Sequence, residues 1–97
     1  MRIIAHRTIV EYGNRYSDAK TALDAWYRVA KAAEWKNFQD VKNTVGSADY
    51  ARNRRFVFNI KGNDYRLDVK ILFVQKIVYI RFIGTHKEYD KIDCPTI

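Results

Sequence analysis

Residues 55–73 read RFVFNIKGNDYRLDVKILF, and their alternation of apolar and polar side chains predicts two β-strands. The apolar set of the second strand starts at Tyr65 and recurs at every other residue. Three residues of this strand point to the opposite face: Arg66, Asp68 and Lys70. Gly62-Asn63 is a turn signal between the two strands. The segment therefore predicts an antiparallel hairpin with one apolar face and one polar, mainly cationic face.

The flanking segments add a third strand and a helix. Ile77 to Ile83 is a nearly continuous apolar run, which predicts a central strand covered on both faces. Asp18 to Glu34 has the spacing of an amphipathic helix, with Leu23 and Trp26 as its bulky apolar anchors and Ser17 as a suitable N-cap. A helix packed on one face of a three-stranded meander gives a two-layer α+β domain.

The remaining segments of the N-terminal half carry weaker patterns. Residues 1–8 predict an opening strand, and residues 8–16 predict one or two helical turns. Residues 35–45 predict a short helix capped by Asn37. Residues 46–53 contain turn formers without periodicity and are predicted to form a loop.

Length and composition indicate one folded domain over residues 1–97. Hydrophobic residues make up 47% of the chain and proline occurs once, which excludes an intrinsically disordered protein. No apolar run approaches the roughly 20 residues that span a bilayer, and residues 1–12 lack a signal-peptide core. Cys94 is the only cysteine, so we expect no internal disulfide, no structural zinc site and a reducing cytoplasm. The expected fold is an antiparallel sheet of about four strands with two or three N-terminal helices on one face.

The charge is strongly positive and unevenly distributed. The net charge is +7, and residues 50–97 hold ten Lys or Arg against five Asp or Glu. Residues 1–49 hold eight against six, so the excess lies in the half that is predicted to form the sheet. Polyanions, above all nucleic acid, are the expected partners, and the alternative is a merely soluble basic surface.

A polar cluster follows the third strand at Gly84. Its six residues are Thr85, His86, Lys87, Glu88, Tyr89 and Asp90. Thr85 can cap a last helical turn in which His86, Tyr89 and Asp90 lie three to four residues apart on one side, next to the cationic face of Arg66. Imidazole and phenol are proton-transfer groups, and a guanidinium matches the oxygens of a phosphate. The alternative is a capped turn that only packs on the sheet.

Residues 62–67, GNDYRL, and residues 79–90, YIRFIGTHKEYD, resemble the HigB toxin family of bacterial type II toxin–antitoxin systems. The resemblance covers essentially the whole chain in length and element order. It implies membership of the RelE-like group of small basic ribonucleases, which cut messenger RNA on the ribosome without a cofactor. It also implies a HigA-like antitoxin with a helix-turn-helix. The toxin would then contact operator DNA only through this antitoxin. The expected complex is a heterotetramer in the bacterial cytoplasm.

The resemblance assigns roles to individual residues. Arg66 would contact the scissile phosphate, His86 would act as general acid or base, and Tyr89 would stack on the nucleotide or assist proton transfer. Asp90 would orient His86 or cap a helix end. Apart from the resemblance, seven further residues are expected to contact RNA: Arg54, Arg55, Asn59, Lys61, Lys70, Arg81 and Lys87. The alternative for Arg81 is an ion pair with an acid under the strand. In such a site the 2′-hydroxyl of the RNA attacks the adjacent phosphate without a metal ion.

Two other functions fit parts of the pattern. A RelE-fold toxin with a target such as DNA gyrase would share the fold but lack the proton-transfer residues. A non-catalytic module that binds RNA or the ribosome would explain the charge equally well. Two surfaces are candidates for antitoxin binding on the basis of burial alone: the helix Asp18–Glu34 and the N-terminal strand.

Overall fold

Nine elements follow one another in a computed structural model that describes residues 1–62 and 64–92. They are β1 (Arg2–Ile4), α1 (His6–Arg15), α2 (Ser17–Ala32), α3 (Phe38–Thr44), β2 (Asp49–Ala51), β3 (Arg55–Ile60), β4 (Tyr65–Leu72), β5 (Ile77–Thr85) and α4 (His86–Tyr89). The predictions for Asn63 and Cys94 lie outside the described residues. Within those residues, no helix has the length and apolar character to cross a membrane.

The strands form one sheet in the order β1-β5-β4-β3-β2. The predicted meander is present, since β3, β4 and β5 pair antiparallel in sequence order. The α+β fold class is confirmed. Two details differ from the expectation: β1 pairs parallel with β5, and β2 forms a fifth strand where a loop was predicted. The short β2 pairs only with Arg55–Val57 of β3. This pairing stabilises the strand, although the sequence of β2 has no strand pattern of its own.

The helices begin and end close to the predicted places. Helix α1 is ten residues long, longer than the one or two turns expected. The predicted cap at Ser17 is wrong, because Ser17 is the first residue of α2 and Tyr16 occupies the N-cap position without a side-chain hydrogen bond. The predicted cap at Asn37 is confirmed, since its Oδ1 accepts a hydrogen bond of 3.0 Å from the amide of Asp40.

The core lies between the helices and one face of the sheet. Trp26 of α2 and Trp35, which precedes α3, pack on Phe58 of β3 with ring centroids 5.4 and 6.2 Å apart. Leu23 and Leu67 are fully buried in the same cluster.

The amino group of Met1 donates to the carbonyls of Ala30, Lys31 and Ala33 at the end of α2. A cation stabilises the negative end of a helix dipole, so this contact ties β1 to the helical layer.

We call the face of the sheet that is turned away from α1–α3 the open face. By strand register, it carries Asn59, Arg66, Asp68, Lys70, Tyr79 and Phe82. It is less exposed than predicted, because Asp68 is fully buried. Conversely, β5 is not covered on both faces: Tyr79 and Phe82 remain partly accessible. The register of β4 with β5 shifts between Asp68 and Val69, where β5 carries one extra residue, Arg81, in a β-bulge.

Candidate active site

Three neighbouring strands bring the centre of the site together on the open face. Arg66 of β4 lies opposite Asn59 of β3 and opposite Gly84 of β5. Directly opposite residues in antiparallel strands have Cα atoms about 4.5–5.5 Å apart. The side-chain Oδ1 of Asn59 is buried and has no hydrogen-bond partner in the described part of the chain. Arg66 is partly exposed and is therefore accessible to a ligand.

Gly84 allows α4 to fold back onto the end of β5. A Cβ atom at this position would lie 2.6 Å from Cζ of Phe82 and 3.2 Å from Cβ of Glu88. Contacts under 3.0 Å force a shift of one of the partners. The absence of a side chain thus lets the first turn of α4 come close to the row that contains Arg66.

A capping box fixes the start of α4, as the sequence predicted for Thr85. The hydroxyl oxygen of Thr85 accepts from the amide of Glu88 at 3.2 Å, and the carboxylate of Glu88 accepts from the amide of Thr85 at 2.8 Å. The amide of His86 donates to the carbonyl of Asp64 at 3.3 Å, which ties α4 to the β3–β4 turn. His86 therefore has a defined position over the end of β4.

His86 connects Arg66 to Asp90. Its Nε2 lies 2.9 Å from Nη2 of Arg66, and its Nδ1 lies 3.3 Å from Oδ2 of Asp90. A guanidinium group can only donate, so Nε2 accepts and carries no proton in this arrangement. The proton of the neutral ring is then on Nδ1, facing the carboxylate. The helical spacing of four residues between His86 and Asp90 was the sequence signal for this contact.

Tyr89 completes the group of three residues predicted as catalytic. The guanidinium carbon of Arg66 lies 5.2 Å from the centroid of the Tyr89 ring, within the range of a cation–π contact. Arg66 thus contacts both His86 and Tyr89, although 20 residues of sequence separate Arg66 from His86. The structure brings these three predicted residues together.

The seven residues predicted to contact RNA are not all beside this group. Asn59 is the direct neighbour of Arg66, and Lys87 is exposed on α4. Lys61 lies in the β3–β4 turn, where its Nζ contacts Asp18 at 3.2 Å and Asp64 at 3.9 Å. Lys61 would have to exchange these carboxylates for a phosphate in order to contact RNA.

The other predicted cations lie further from Arg66. Lys70 and Arg55 face each other four residues along the strands, about 13 Å away by strand rise. Arg55 is only 8% exposed, so it offers little surface to a phosphate. Arg54 is exposed at the β2–β3 hairpin and has a φ of +62°, in the left-handed region. Arg81 is exposed at the bulge.

One contact beside the site was missed by the sequence analysis. The hydroxyl of Tyr65 donates to Oδ1 of Asp18 at 2.7 Å, 47 residues away in sequence. This hydrogen bond, helped by Lys61, holds the pKa of Asp18 below its usual value. The same bond, together with burial, raises the pKa of Tyr65 to about 12. No local pattern could have revealed a pair so distant in sequence.

Potential metal ligands are dispersed in the described residues. Within residues 1–62 and 64–92, no group of three or more His, Cys, Asp or Glu side chains could hold a metal ion.

Comparison with known proteins assigns the chain to a family. The family described as HigB toxin, a RelE-like toxic component of a toxin–antitoxin system, matches residues 19–92. A relative named mRNA interferase HigB, from Escherichia coli O6:H1, is 30% identical over 94 residues, which are 95% of this chain and 91% of the relative. The mRNA interferase toxin HigB of Escherichia coli K12 and the mRNA interferase HigB of Shigella flexneri are each 29% identical over 92 residues, covering 93% of this chain and 88% of the relative. The chain therefore belongs to the HigB toxin family.

Proposed function

We propose that this protein is an mRNA interferase, an endoribonuclease that cuts translated messenger RNA on the ribosome and so inhibits translation. The observation that carries the proposal is the distance of 2.9 Å between Arg66 Nη2 and His86 Nε2, with Tyr89 packed on the same guanidinium. An arginine fork for a phosphate and an unprotonated imidazole nitrogen beside it are the two groups that RNA cleavage by its own 2′-hydroxyl needs. The names of the relatives support the same activity.

The positions of these groups support the following reaction. When a phosphate binds, the donors of Arg66 turn to its oxygens, and the lone pair of His86 Nε2 becomes available. His86 then takes the proton of the 2′-hydroxyl as the 2′ oxygen bonds to phosphorus and the bond to the 5′ oxygen breaks. Asp90 stabilises the imidazolium that forms, since its carboxylate lies 3.3 Å from Nδ1. Arg66 stabilises the negative charge that develops on the phosphate oxygens.

Tyr89 has two possible contributions that its substitutions separate. Its ring can stack on a base, and its hydroxyl can give a proton to the leaving 5′ oxygen. Tyr89→Phe keeps the ring and removes the hydroxyl. Tyr89→Ala removes both. A loss of cleavage that appears already in the phenylalanine variant assigns the proton to Tyr89.

The partners of the protein follow from its family and charge. A toxin of a toxin–antitoxin pair has an antitoxin partner, and we propose a HigA-like protein with a helix-turn-helix. The net charge of +7 supports binding to messenger RNA and to the ribosome in the bacterial cytoplasm. We further propose a heterotetramer with the antitoxin, which contacts operator DNA only through the antitoxin.

The test uses purified variants on translating ribosomes. His86→Ala should lower the cleavage rate about 100- to 10,000-fold, the usual contribution of a general acid or base. Arg66→Lys should also lose most activity, because an ammonium cannot reproduce the planar fork. The matched controls are His6→Ala and Arg28→Lys, which change the same residue types in α1 and α2. Undiminished cutting by both site variants would refute the assignment, provided that circular dichroism shows them folded.

The same preparation separates the other two functions. A toxin that acts on gyrase would arrest growth without messenger-RNA breaks, and a binding module would leave RNA intact both free and on ribosomes. Cleavage on translating ribosomes but not of naked RNA favours the proposal. Growth arrest that a co-expressed antitoxin relieves would support the toxin–antitoxin pair.

A further inference from the structure

A cleft of about 420 Å³ lies between α1 and β5, beside the candidate active site. It exists because β1 pairs only with Ile77–Tyr79 of β5. The remaining half of β5, from Ile80 to Thr85, has α1 rather than a strand on its outer side. The residues that argue for a ligand here are Tyr12, Arg15, Arg81 and Phe82, all of which line the cleft.

Two arginines give the cleft a positive charge. Arg15 lies in the last turn of α1 and is exposed. Arg81 is the residue that the bulge in β5 displaces from the pairing with β4, and bulges commonly redirect a side chain next to an active site. The acidic residue of the lining, Glu11, forms an exposed ion pair with Arg7 at 2.8 Å, so the net charge of Arg7, Glu11, Arg15 and Arg81 together is positive. The chemistry of the cleft therefore favours an anion.

Tyr12 adds a buried polar group to the lining of the cleft. Its hydroxyl is buried and makes no hydrogen bond to any residue of the described ranges. Burial and the nearby charge of Glu88 raise the pKa of Tyr12 to about 12, so the phenol keeps its proton at neutral pH. Tyr12 is therefore an uncharged part of the lining, and the charge of the cleft comes from its ionised side chains.

Phe82 joins the cleft to the active site. Its ring covers Gly84, since a Cβ atom there would lie 2.6 Å from the Phe82 Cζ, and the same residue lines the cleft. Gly84 lies opposite Arg66 in the sheet. Two residues along a strand span about 7 Å, so Phe82 lies within about that distance of the row that holds Arg66. Phe82 is partly exposed and can offer a face to a base.

We propose that the α1–β5 cleft is a subsite for the nucleotide next to the scissile phosphate. Arg15 and Arg81 bind its phosphate, and Phe82 stacks on its base. This inference rests on the proposed ribonuclease function and extends it to the path of the RNA. The single strand then runs from Arg66 and His86 across Phe82 toward the end of α1.

The test measures binding of a short single-stranded RNA with 2′-O-methyl riboses, which cannot be cut by 2′-hydroxyl attack. Arg15→Ala should weaken binding and reduce the slope of log K against log salt by about 0.7, the value for one phosphate contact on a single strand. Phe82→Leu keeps an apolar contact with Gly84 but removes the aromatic face. It should weaken binding roughly 5- to 150-fold without changing the salt slope. Arg28→Ala, on the exposed side of α2, is the matched charge control.

The nucleotide profile of the cut sites on ribosomes provides a second readout. Phe82→Leu should change the base preference next to the cut, because the stacking partner is lost, whereas Arg15→Lys should restore both the salt slope and the profile. The subsite is refuted if the cleft variants have the same RNA affinity, salt slope and cut-site profile as Arg28→Ala. The ribonuclease function still stands in that case if wild type cuts RNA and His86→Ala does not. Weakened antitoxin binding with unchanged RNA binding would also refute it, since the cleft would then be a protein interface. If wild type itself neither binds nor cuts RNA, the proposed function fails first.

Discussion

At the scale of single residues, the guanidinium of Arg66 sets the direction of the hydrogen bond at the centre of the site. Arg66 has no acceptor atoms, so the nitrogen of His86 that faces it accepts in their 2.9 Å contact. The carboxylate of Asp90 on the other side of the ring favours the proton on Nδ1. The hydrogen bond thus turns a lone pair of His86 toward Arg66, the residue that we propose as the phosphate ligand.

Gly84→Ala tests the close approach of α4 to β5. The new methyl group would overlap Phe82, and overpacking of this kind usually costs about 1–3 kcal/mol of unfolding free energy. We expect this loss in urea unfolding, together with reduced cleavage because α4 is displaced. Gly46→Ala is the control, since a Cβ at Gly46 meets no atom within 4 Å.

A double variant identifies the cause of that loss. Phe82→Leu removes the ring atoms nearest to Gly84, so it should recover part of the stability in the Gly84→Ala background. Strict additivity of the two changes would show that Phe82 is not the obstacle. Equal stability of Gly84→Ala and Gly46→Ala would remove the steric argument altogether.

The Tyr65–Asp18 hydrogen bond predicts a pH-dependent stability. The folded-state pKa of Asp18 lies below its unfolded value of roughly 3.9, so the contribution is complete above that value and is lost as the pH falls through the lower folded pKa. Tyr65→Phe should therefore be less stable than wild type at pH 7, and the difference should shrink below about pH 4. Thermal unfolding across this range measures it. Tyr50→Phe, at a tyrosine that is 51% exposed, should show no such dependence.

At the scale of elements, the capping box is what makes α4 a helix. The element has only four residues and none of them is buried, so its stability depends on local bonds more than on packing. Removal of a cap costs about 0.5–2 kcal/mol, which would lower the population of the ordered turn. Thr85→Ala should thus reduce cleavage about 2- to 30-fold, the rate equivalent of that energy. Global unfolding should change little.

Thr85→Ser is the matched variant, because serine keeps the hydroxyl that accepts from Glu88. It should retain nearly all activity. If alanine and serine variants cut equally well, the orientation of His86 does not depend on the cap. A large loss of global stability in the alanine variant would instead assign Thr85 a role in the core.

The elements also show where sequence patterns suffice and where they fail. Strands β3 to β5 and helix α2 were predicted because their apolar residues repeat at every second or at every third and fourth position. Helix α1 was underestimated because Gly13 and Asn14 are poor helix formers, whereas its packing of Ile9 and Gly13 against the core stabilises it. A three-residue strand such as β2 has no periodicity to detect, since its order comes from pairing with β3.

At the scale of the whole molecule, the site residues that could be predicted were those next to a readable element boundary. Arg66 and His86 were found because strand alternation and the polar turn after Gly84 place them, and the family resemblance gave them roles. The pairing of Lys61 with Asp18 and the burial of Asp68 arise from contacts between distant segments, which a single sequence does not encode. The basic open face is therefore less uniform than the net charge suggests.

The arrangement of the core predicts that the chain is one cooperative unit. Trp26 of α2 and Trp35 of the α2–α3 connection both pack on Phe58 of the sheet, so the two layers should unfold together. In urea, single-tryptophan variants Trp26→Phe and Trp35→Phe should each show one fluorescence transition that coincides with the circular dichroism of the same variant. The unfolding free energy of wild type should be about 5–15 kcal/mol, as for other native domains. A fluorescence transition that precedes the loss of sheet signal would show that the helical layer separates first and that the chain has two units.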